Sequence, residues 1–114
     1  MKLIIAGGRN YFLSLADIDR LYAVVDLDSV TEIVSGCATG ADACGEHLAK
    51  MRGIPVKRFP ANWKEYGKSA GPMRNKEMAE YSDAVALFPG GRGTDNMYKQ
   101  AKQFGLTIYD FRLP

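Results

Sequence analysis

Five short runs of mainly apolar residues alternate with longer stretches of helical character, and this alternation constrains the fold more than any other feature of the sequence. The runs predict strands at Lys2–Ala6, Glu32–Ser35, Pro55–Phe59, Ala84–Phe88 and Thr107–Phe111. Alternation of strands and helices favours parallel pairing with right-handed crossovers. The sequence therefore predicts an α/β fold of three layers, an open, mostly parallel five-stranded sheet with helices on both faces.

Residues that start and stop helices predict four helices between these strands. Ser14 and Asp17 have the spacing of a capping box, and Thr39 and Asp42 repeat it. Thr94 is expected to cap the last helix. The third helix is predicted from about residue 72 to 82, after an irregular connection over 61–71.

Apolar residues at spacings of three and four predict which faces of the first two helices are buried. The first helix has Leu15, Ile18, Tyr22 and Val25 at this spacing, and the second has Ala41, Cys44, Leu48 and Met51.

Composition excludes several classes of protein. A chain of 114 residues with 46% hydrophobic residues predicts one globular domain over 1–114 rather than a disordered chain. The net charge of +2 does not by itself favour a nucleic-acid partner. No apolar run is long enough to cross a membrane, and the first one stops at Gly7 after a single lysine, unlike a signal peptide, so a cytoplasmic protein is expected. Cys37 and Cys44, with one histidine, lack the spacing of a metal site and are interpreted as buried thiols.

Glycine and polar residues follow each of the first four strands, and in a parallel sheet all four ends meet at one edge, where α/β sheets bind ligands. The loop after the fourth strand is the richest: Pro89, Gly90, Gly91, Arg92, Gly93 and Thr94. Its glycines permit positive φ and close approach of a ligand, and the following helix offers free N–H groups. The pattern favours a phosphate site over a tight turn that needs glycine only for its geometry.

The loop after the second strand repeats this pattern with Ser35, Gly36, Thr39 and Gly40. Asp42 and Glu46 lie one turn apart on the next helix. Asp42 either accepts hydrogen bonds from ribose hydroxyls or compensates the helix dipole, and Glu46 is a weaker candidate general base.

Three further residues are candidates for ligand contact. Arg74, near the start of the third helix, suits a phosphate partner, with Asn75 beside it; the alternative is a solvated arginine paired with a neighbouring glutamate. Trp63 either stacks on a base or packs as a lid. The sequence lacks the motifs of a P-loop NTPase, a serine hydrolase or a dinucleotide-binding dehydrogenase.

Five of these segments, in order, resemble the YspA/YpsA-related proteins of the SLOG superfamily, a Rossmann-like group found in bacteria and phages. They are Gly8–Arg9, Ser35–Gly36 with Thr39–Asp42, Pro60–Trp63 with Tyr66–Lys68, Ala70–Met78 and Pro89–Thr94. The superfamily also contains the LOG phosphoribohydrolases and the DprA proteins. The resemblance implies a nucleotide ligand and a homo-oligomer. It implies that Arg74 holds a phosphate and that the loop over 90–94 cradles phosphate and ribose.

One position departs from the LOG pattern. The glutamate that serves N-glycosidic cleavage in LOG proteins corresponds here to Met97, which cannot polarise water. The leading hypothesis is therefore a binder of a nucleotide or an ADP-ribose-like ligand, acting as sensor, carrier or sponge. The alternatives are a phosphoribohydrolase that uses Asp42 or Glu46, and a DprA-like module for single-stranded nucleic acid, with a partial basic stripe at Lys57, Arg58, Lys64 and Lys68.

Overall fold

The predicted sheet is present in the computed structural model, which describes residues 1–113. Its strands are β1 (Lys2–Ala6), β2 (Glu32–Ser35), β3 (Val56–Arg58), β4 (Ala84–Leu87) and β5 (Thr107–Asp110). They lie in the order β3-β2-β1-β4-β5, and every pairing is parallel. The chain leaves β1 towards one side of the sheet and later returns to pair β4 on the other side of β1. The carboxyl ends of β1 and β4 therefore flank the point where the strand order reverses.

Helices cover both faces of this sheet, so the predicted three-layer Rossmann-like fold is confirmed. They are α1 (Leu15–Val24), α2 (Ala41–Arg52), α3 (Trp63–Tyr66), α4 (Ala70–Tyr81) and α5 (Arg92–Gln103). Leu3 and Ile5 of β1 pack with the side chains of α1 and α2, whereas Ile4 packs with Met78 of α4 and Met97 of α5. Both faces of β1 are thus buried, as its apolar sequence requires.

Of the three predicted capping residues, only Ser14 caps a helix. Its hydroxyl accepts from the Asp17 backbone N–H at 3.1 Å, and the Asp17 carboxylate accepts from the Ser14 N–H at 3.0 Å. The predictions for Thr39 and Thr94 are wrong. Glycines 40 and 91 precede α2 and α5, Thr39 donates to the carbonyl of Arg9, and Thr94 lies within the first turn of α5.

The predicted buried faces of α1 and α2 are partly wrong. Leu15 is 81% exposed and Met51 is 73% exposed. The buried positions of α1 are instead Asp17 and Leu21. A buried carboxylate interrupts the apolar repeat, and this hides the true stripe from a pattern based on apolar residues.

Two other predictions are corrected. The connection over 61–71 is not irregular, because it contains α3, a 3₁₀ turn at Gly67–Ser69 and the start of α4. The thiols are not buried: Cys37 is exposed and Cys44 is partly so. Cys37 also has a φ of 67°, a left-handed conformation that favours glycine. Within residues 1–113, no helix is long and apolar enough to cross a membrane.

Candidate functional site

A cleft of about 440 Å³ lies at the carboxyl edge of the sheet, on the face covered by α4 and α5. It lies beside the point where the strand order reverses. Ten of the predicted site residues line it: Gly8, Arg9, Asp42, Trp63, Arg74, Asn75, Gly91, Arg92, Gly93 and Thr94. The structure therefore brings together residues from the segments that follow four different strands, as the parallel topology requires.

The loop between β4 and α5 forms one wall. A Cβ atom on Gly91 or Gly93 would meet no other atom within 4 Å, so both glycines face open space. Gly90 is different, because a Cβ atom there would lie 2.7 Å from the backbone nitrogen of Gly8 and closer still to the Thr94 hydroxyl. None of the three has a positive φ, which corrects that part of the prediction. What they provide is space for a ligand and close packing of the loop.

The loop after β1 closes against this wall. The Gly8 backbone N–H donates to the Pro89 carbonyl at 2.9 Å, which joins the loops that follow β1 and β4. The Arg9 guanidinium lies 5.3 Å from the centre of the Trp63 ring, within cation–π range. Arg9, from the loop after β1, and Trp63, from the start of α3, thus approach each other at the cleft.

The indole of Trp63 packs on α4 at Gly71, where no side chain lies in the way. A Cβ atom on Gly71 would lie 3.1 Å from the Trp63 ring, so the absence of a side chain at 71 permits this contact. Trp63 remains 48% exposed and available for contact with a planar group. Lys68, from the turn that follows α3, adds a cation to the lining.

Arg74 is held by neutral acceptors. Its Nε donates to the Asn75 side-chain oxygen at 2.9 Å, and its Nη1 donates to the Gly36 carbonyl. A Cβ atom on Gly36 would lie 2.5 Å from Nη1, so a side chain at this position would displace the guanidinium from where it lies. The alternative of Arg74 paired with a neighbouring glutamate is not observed among the described residues.

Asp42 is the one carboxylate among the described residues that line the cleft. It is 6% exposed, and its Oδ2 accepts from the Ala38 backbone N–H at 3.2 Å. Burial raises the pKa of Asp42 above its usual value, against the opposing effects of that N–H and of the positive charge on Arg74. The alternative of simple dipole compensation does not account for this burial.

The remaining predicted residues lie outside the cleft lining. Glu46 accepts from the Ser35 hydroxyl at 2.6 Å and forms an ion pair with Arg58, which ties it to the end of β2 and to β3. Thr39 and Gly40 pack against the loop after β1, and Gly36, Pro89 and Gly90 support residues that do line the cleft.

Sequence reasoning missed several lining residues, among them the polar Asn96. Its side-chain oxygen accepts from the Asn75 amide at 3.0 Å. Its position three residues after Gly93 places it on the same side of α5 as that glycine, which is the one signal that could have identified it. Met78 and Met97 also line the cleft, and both are nearly inaccessible to solvent.

Comparison with known proteins identifies relatives of this chain. Gene 61 protein of Mycobacterium phage D29 is 34% identical over 87 residues, which cover 69% of this chain and 70% of that protein. The X-ray structure of DNA processing protein A (DprA) from Streptococcus pneumoniae has a similar fold, with a TM-score of 0.73 and 18% identity. The alignment covers 96% of this chain but 49% of that one, so the present chain spans about half the length of DprA. A family model matches residues 1–66, and the chain belongs to the YspA, cpYpsA-related SLOG family.

Proposed function

We propose that the cleft binds a nucleotide or a nucleotide-derived ligand such as ADP-ribose, and that the protein acts as a sensor, carrier or sponge for it. In this proposal the phosphate lies against the start of α5 and Arg74, Asp42 accepts from ribose hydroxyls, and the base stacks on Trp63. The volume of about 440 Å³ is within the ordinary range of small-molecule sites.

The charge of the lining carries the proposal. Among residues 1–113, four cationic side chains, Arg9, Lys68, Arg74 and Arg92, line the cleft together with one carboxylate. The α5 N-terminus adds the positive end of its dipole, and Gly91, which precedes it, makes no side-chain capping bond. Such a lining favours an anion over a neutral or cationic ligand.

The presence of Met97 in the cleft lining favours binding over turnover. Met97 stands where LOG proteins have their catalytic glutamate, and it is 1% exposed against Met78. A thioether neither donates nor accepts a proton at neutral pH, so this position supplies no general acid or base.

Calorimetric titration with AMP, ADP-ribose and phosphate-free adenosine tests the proposal. We expect AMP and ADP-ribose to bind and adenosine to bind far more weakly. Gly91→Asp is expected to abolish binding, because it places a carboxylate at the phosphate position. Aspartate is a favourable N-cap residue, so loss of the fold would not explain that loss.

Two variants provide controls. Gly91→Ala adds a methyl group without charge and is expected to retain part of the binding. Arg74→Ala removes a cation of the cleft, whereas Lys76→Ala removes an exposed cation of the same helix that does not line it. Absence of binding by every phosphate-bearing ligand, or equal losses in Arg74→Ala and Lys76→Ala, would contradict the proposal.

A phosphoribohydrolase is the second candidate, and burial of Asp42 in the cleft favours it. In that reaction water adds across the N-glycosidic bond, so that the bond between C1′ and the base breaks, C1′ gains a hydroxyl, and the base takes the proton. Release of free base from AMP, abolished by Asp42→Asn, would establish turnover. Binding without release would favour the leading proposal.

The DprA-like module for single-stranded nucleic acid has weaker support. Of the four residues of the basic stripe, only Lys68 lines the cleft, and Arg58 is paired with Glu46. Titration with single-stranded DNA at several salt concentrations tests it, since phosphate contacts give a steep salt dependence. Unchanged signal at low salt would exclude this function.

A further inference from the structure

Asn75 carries a buried side-chain amide that joins two walls of the cleft. The residue is 4% exposed and lies in the second turn of α4. Its Nδ2 donates to the Gly93 carbonyl at 3.1 Å and to the Asn96 side-chain oxygen at 3.0 Å, both in α5. Its Oδ1 accepts from the Arg74 Nε at 2.9 Å. The amide therefore connects Arg74 to the first turn of α5.

The partners fix the orientation of this amide. A backbone carbonyl can only accept, so the Asn75 nitrogen must face Gly93. The Nε of Arg74 can only donate, so the Asn75 oxygen must face Arg74. Both amide hydrogens and one oxygen lone pair are used within the protein. This differs from direct ligand contact, the role that the sequence suggested for Asn75.

The Arg74 guanidinium is oriented without a direct ion pair, although the buried carboxylate of Asp42 lies near enough to interact with its charge. Two of its N–H groups bind the neutral oxygens of Asn75 and Gly36, and no carboxylate among the described residues lies within ion-pair distance. A guanidinium has five N–H donors, so the others remain available to an anion. Holding the plane of the guanidinium in advance lowers the entropy lost when the anion binds.

We infer that Asn75 is a positioning residue, which fixes the Arg74 guanidinium relative to the N-terminus of α5 so that one anion meets both. The functional part of this inference rests on the proposed anion site. The restraint of Arg74 by Asn75 can be measured without any ligand. An asparagine that contacts the ligand directly, or one that only stabilises packing of α4 on α5, would give different results in the following two experiments.

The first experiment measures hydrogen exchange of the arginine Nε–H groups by NMR. In the unliganded protein we expect the Arg74 Nε–H to exchange at least about tenfold more slowly than that of Arg58, whose side chain is 67% exposed. Asn75→Ala should remove this protection and leave Arg58 unchanged. Equal exchange at Arg74 and Arg58 in the wild-type protein would overturn the inference, whether or not a nucleotide binds.

The second experiment is a double-mutant cycle with AMP as the probe. Asn75→Ala is expected to weaken AMP binding about tenfold in the wild-type protein and less than about twofold in Arg74→Lys, which keeps the charge but lacks the Nε donor. Urea denaturation of the same variants measures the packing contribution separately. Equal losses of affinity in both backgrounds would indicate direct contact or a purely structural role, and would overturn the inference.

A result in which neither AMP nor ADP-ribose binds the wild-type protein would contradict the proposed function alone. The exchange measurement would still decide whether Asn75 restrains Arg74, so the two failures are distinguishable.

Discussion

Glycine is required at 40 by both conformation and space. Gly40 has a φ of 71°, and a Cβ atom there would lie 2.5 Å from the Arg9 carbonyl oxygen and closer to that of Gly8. Gly53 has a similar φ of 70°, but a Cβ atom there would meet nothing within 4 Å. The two residues therefore separate the cost of the backbone conformation from the cost of a steric clash.

We expect Gly53→Ala to lower the free energy of unfolding by about 1–2 kcal/mol, the cost of a left-handed alanine. Gly40→Ala should cost more than about 3 kcal/mol, because backbone atoms cannot move aside cheaply. Urea denaturation of both variants measures the difference. Similar losses in the two would show that the loop after β1 yields to the added methyl group.

Asp17 links stability to acid pH. Burial acts to raise its pKa, but hydrogen bonds from Tyr11, the Ser14 backbone and Arg20 prevail and lower it to about 2. The folded pKa is therefore below the unfolded value near 3.8, so this contribution is nearly complete above about pH 5 and is lost progressively as the pH falls towards 2.

The contribution of Asp17 is expected to be about 2 kcal/mol at neutral pH. Chemical denaturation between pH 2 and 6 should show it as a loss of stability on acidification that is reduced in Asp17→Asn. Asp19→Asn, on the exposed side of the same helix, serves as the control. An acid dependence that is identical in wild type and Asp17→Asn would contradict this assignment.

The accuracy of prediction for each element depends on what determines it. Strands β1 and β4 are buried on both faces, so their apolar runs alone identify them. The short helix α3 contains no buried residue, so no apolar periodicity marks it. The start of α5 was misplaced because its N-cap is a glycine without a side-chain signal, whereas Thr94 resembles a capping residue in sequence.

Packing against the sheet determines which face of α2 is buried. Leu48 is 7% exposed and Met51, one turn later, is 73% exposed. Gly45 lies over β1, where a Cβ atom would be 2.9 Å from the Ile5 Cβ atom, so close approach turns the Gly45 and Leu48 face inward. A prediction based on large apolar residues overlooks a contact that is formed by a glycine.

We expect Leu48→Ala to lower the free energy of unfolding by about 2–4 kcal/mol, since it leaves a cavity in the core. Met51→Ala should change it by less than about 0.5 kcal/mol, because alanine has good helix propensity and little buried area is lost. Urea denaturation compares them directly. A loss in Met51→Ala as large as that in Leu48→Ala would mean that Met51 is covered in solution.

The topology of the molecule made much of the candidate site predictable. Parallel strands place their carboxyl ends at one edge, so glycine-rich loops far apart in sequence were expected to converge there, and the cleft lies at that edge. The sequence alone could not distinguish the residues that line the cleft from the residues that hold them in place. Asp42 and Glu46 lie on the same side of α2, one turn apart, yet Asp42 in the first turn lines the cleft whereas Glu46 pairs with Arg58 of β3. Their different positions along the helix axis place them beside different elements.

Binding should depend on the charge of the whole cleft and therefore on salt. We expect the Kd of AMP to rise several-fold between about 0.05 and 0.5 M NaCl, because the Debye length falls below the dimensions of the cleft.

Lys68→Ala should weaken binding and reduce this salt dependence. Lys64→Ala removes an exposed lysine of the same segment that does not line the cleft, so its titration should match the wild type. AMP at a fixed concentration of about 100 times its low-salt Kd should also raise the free energy of unfolding by about 2.7 kcal/mol at low salt, and by less as salt raises the Kd. Calorimetry and denaturation at matched salt concentrations measure both effects, and an affinity that does not respond to salt would mean that contacts other than these cations hold the ligand.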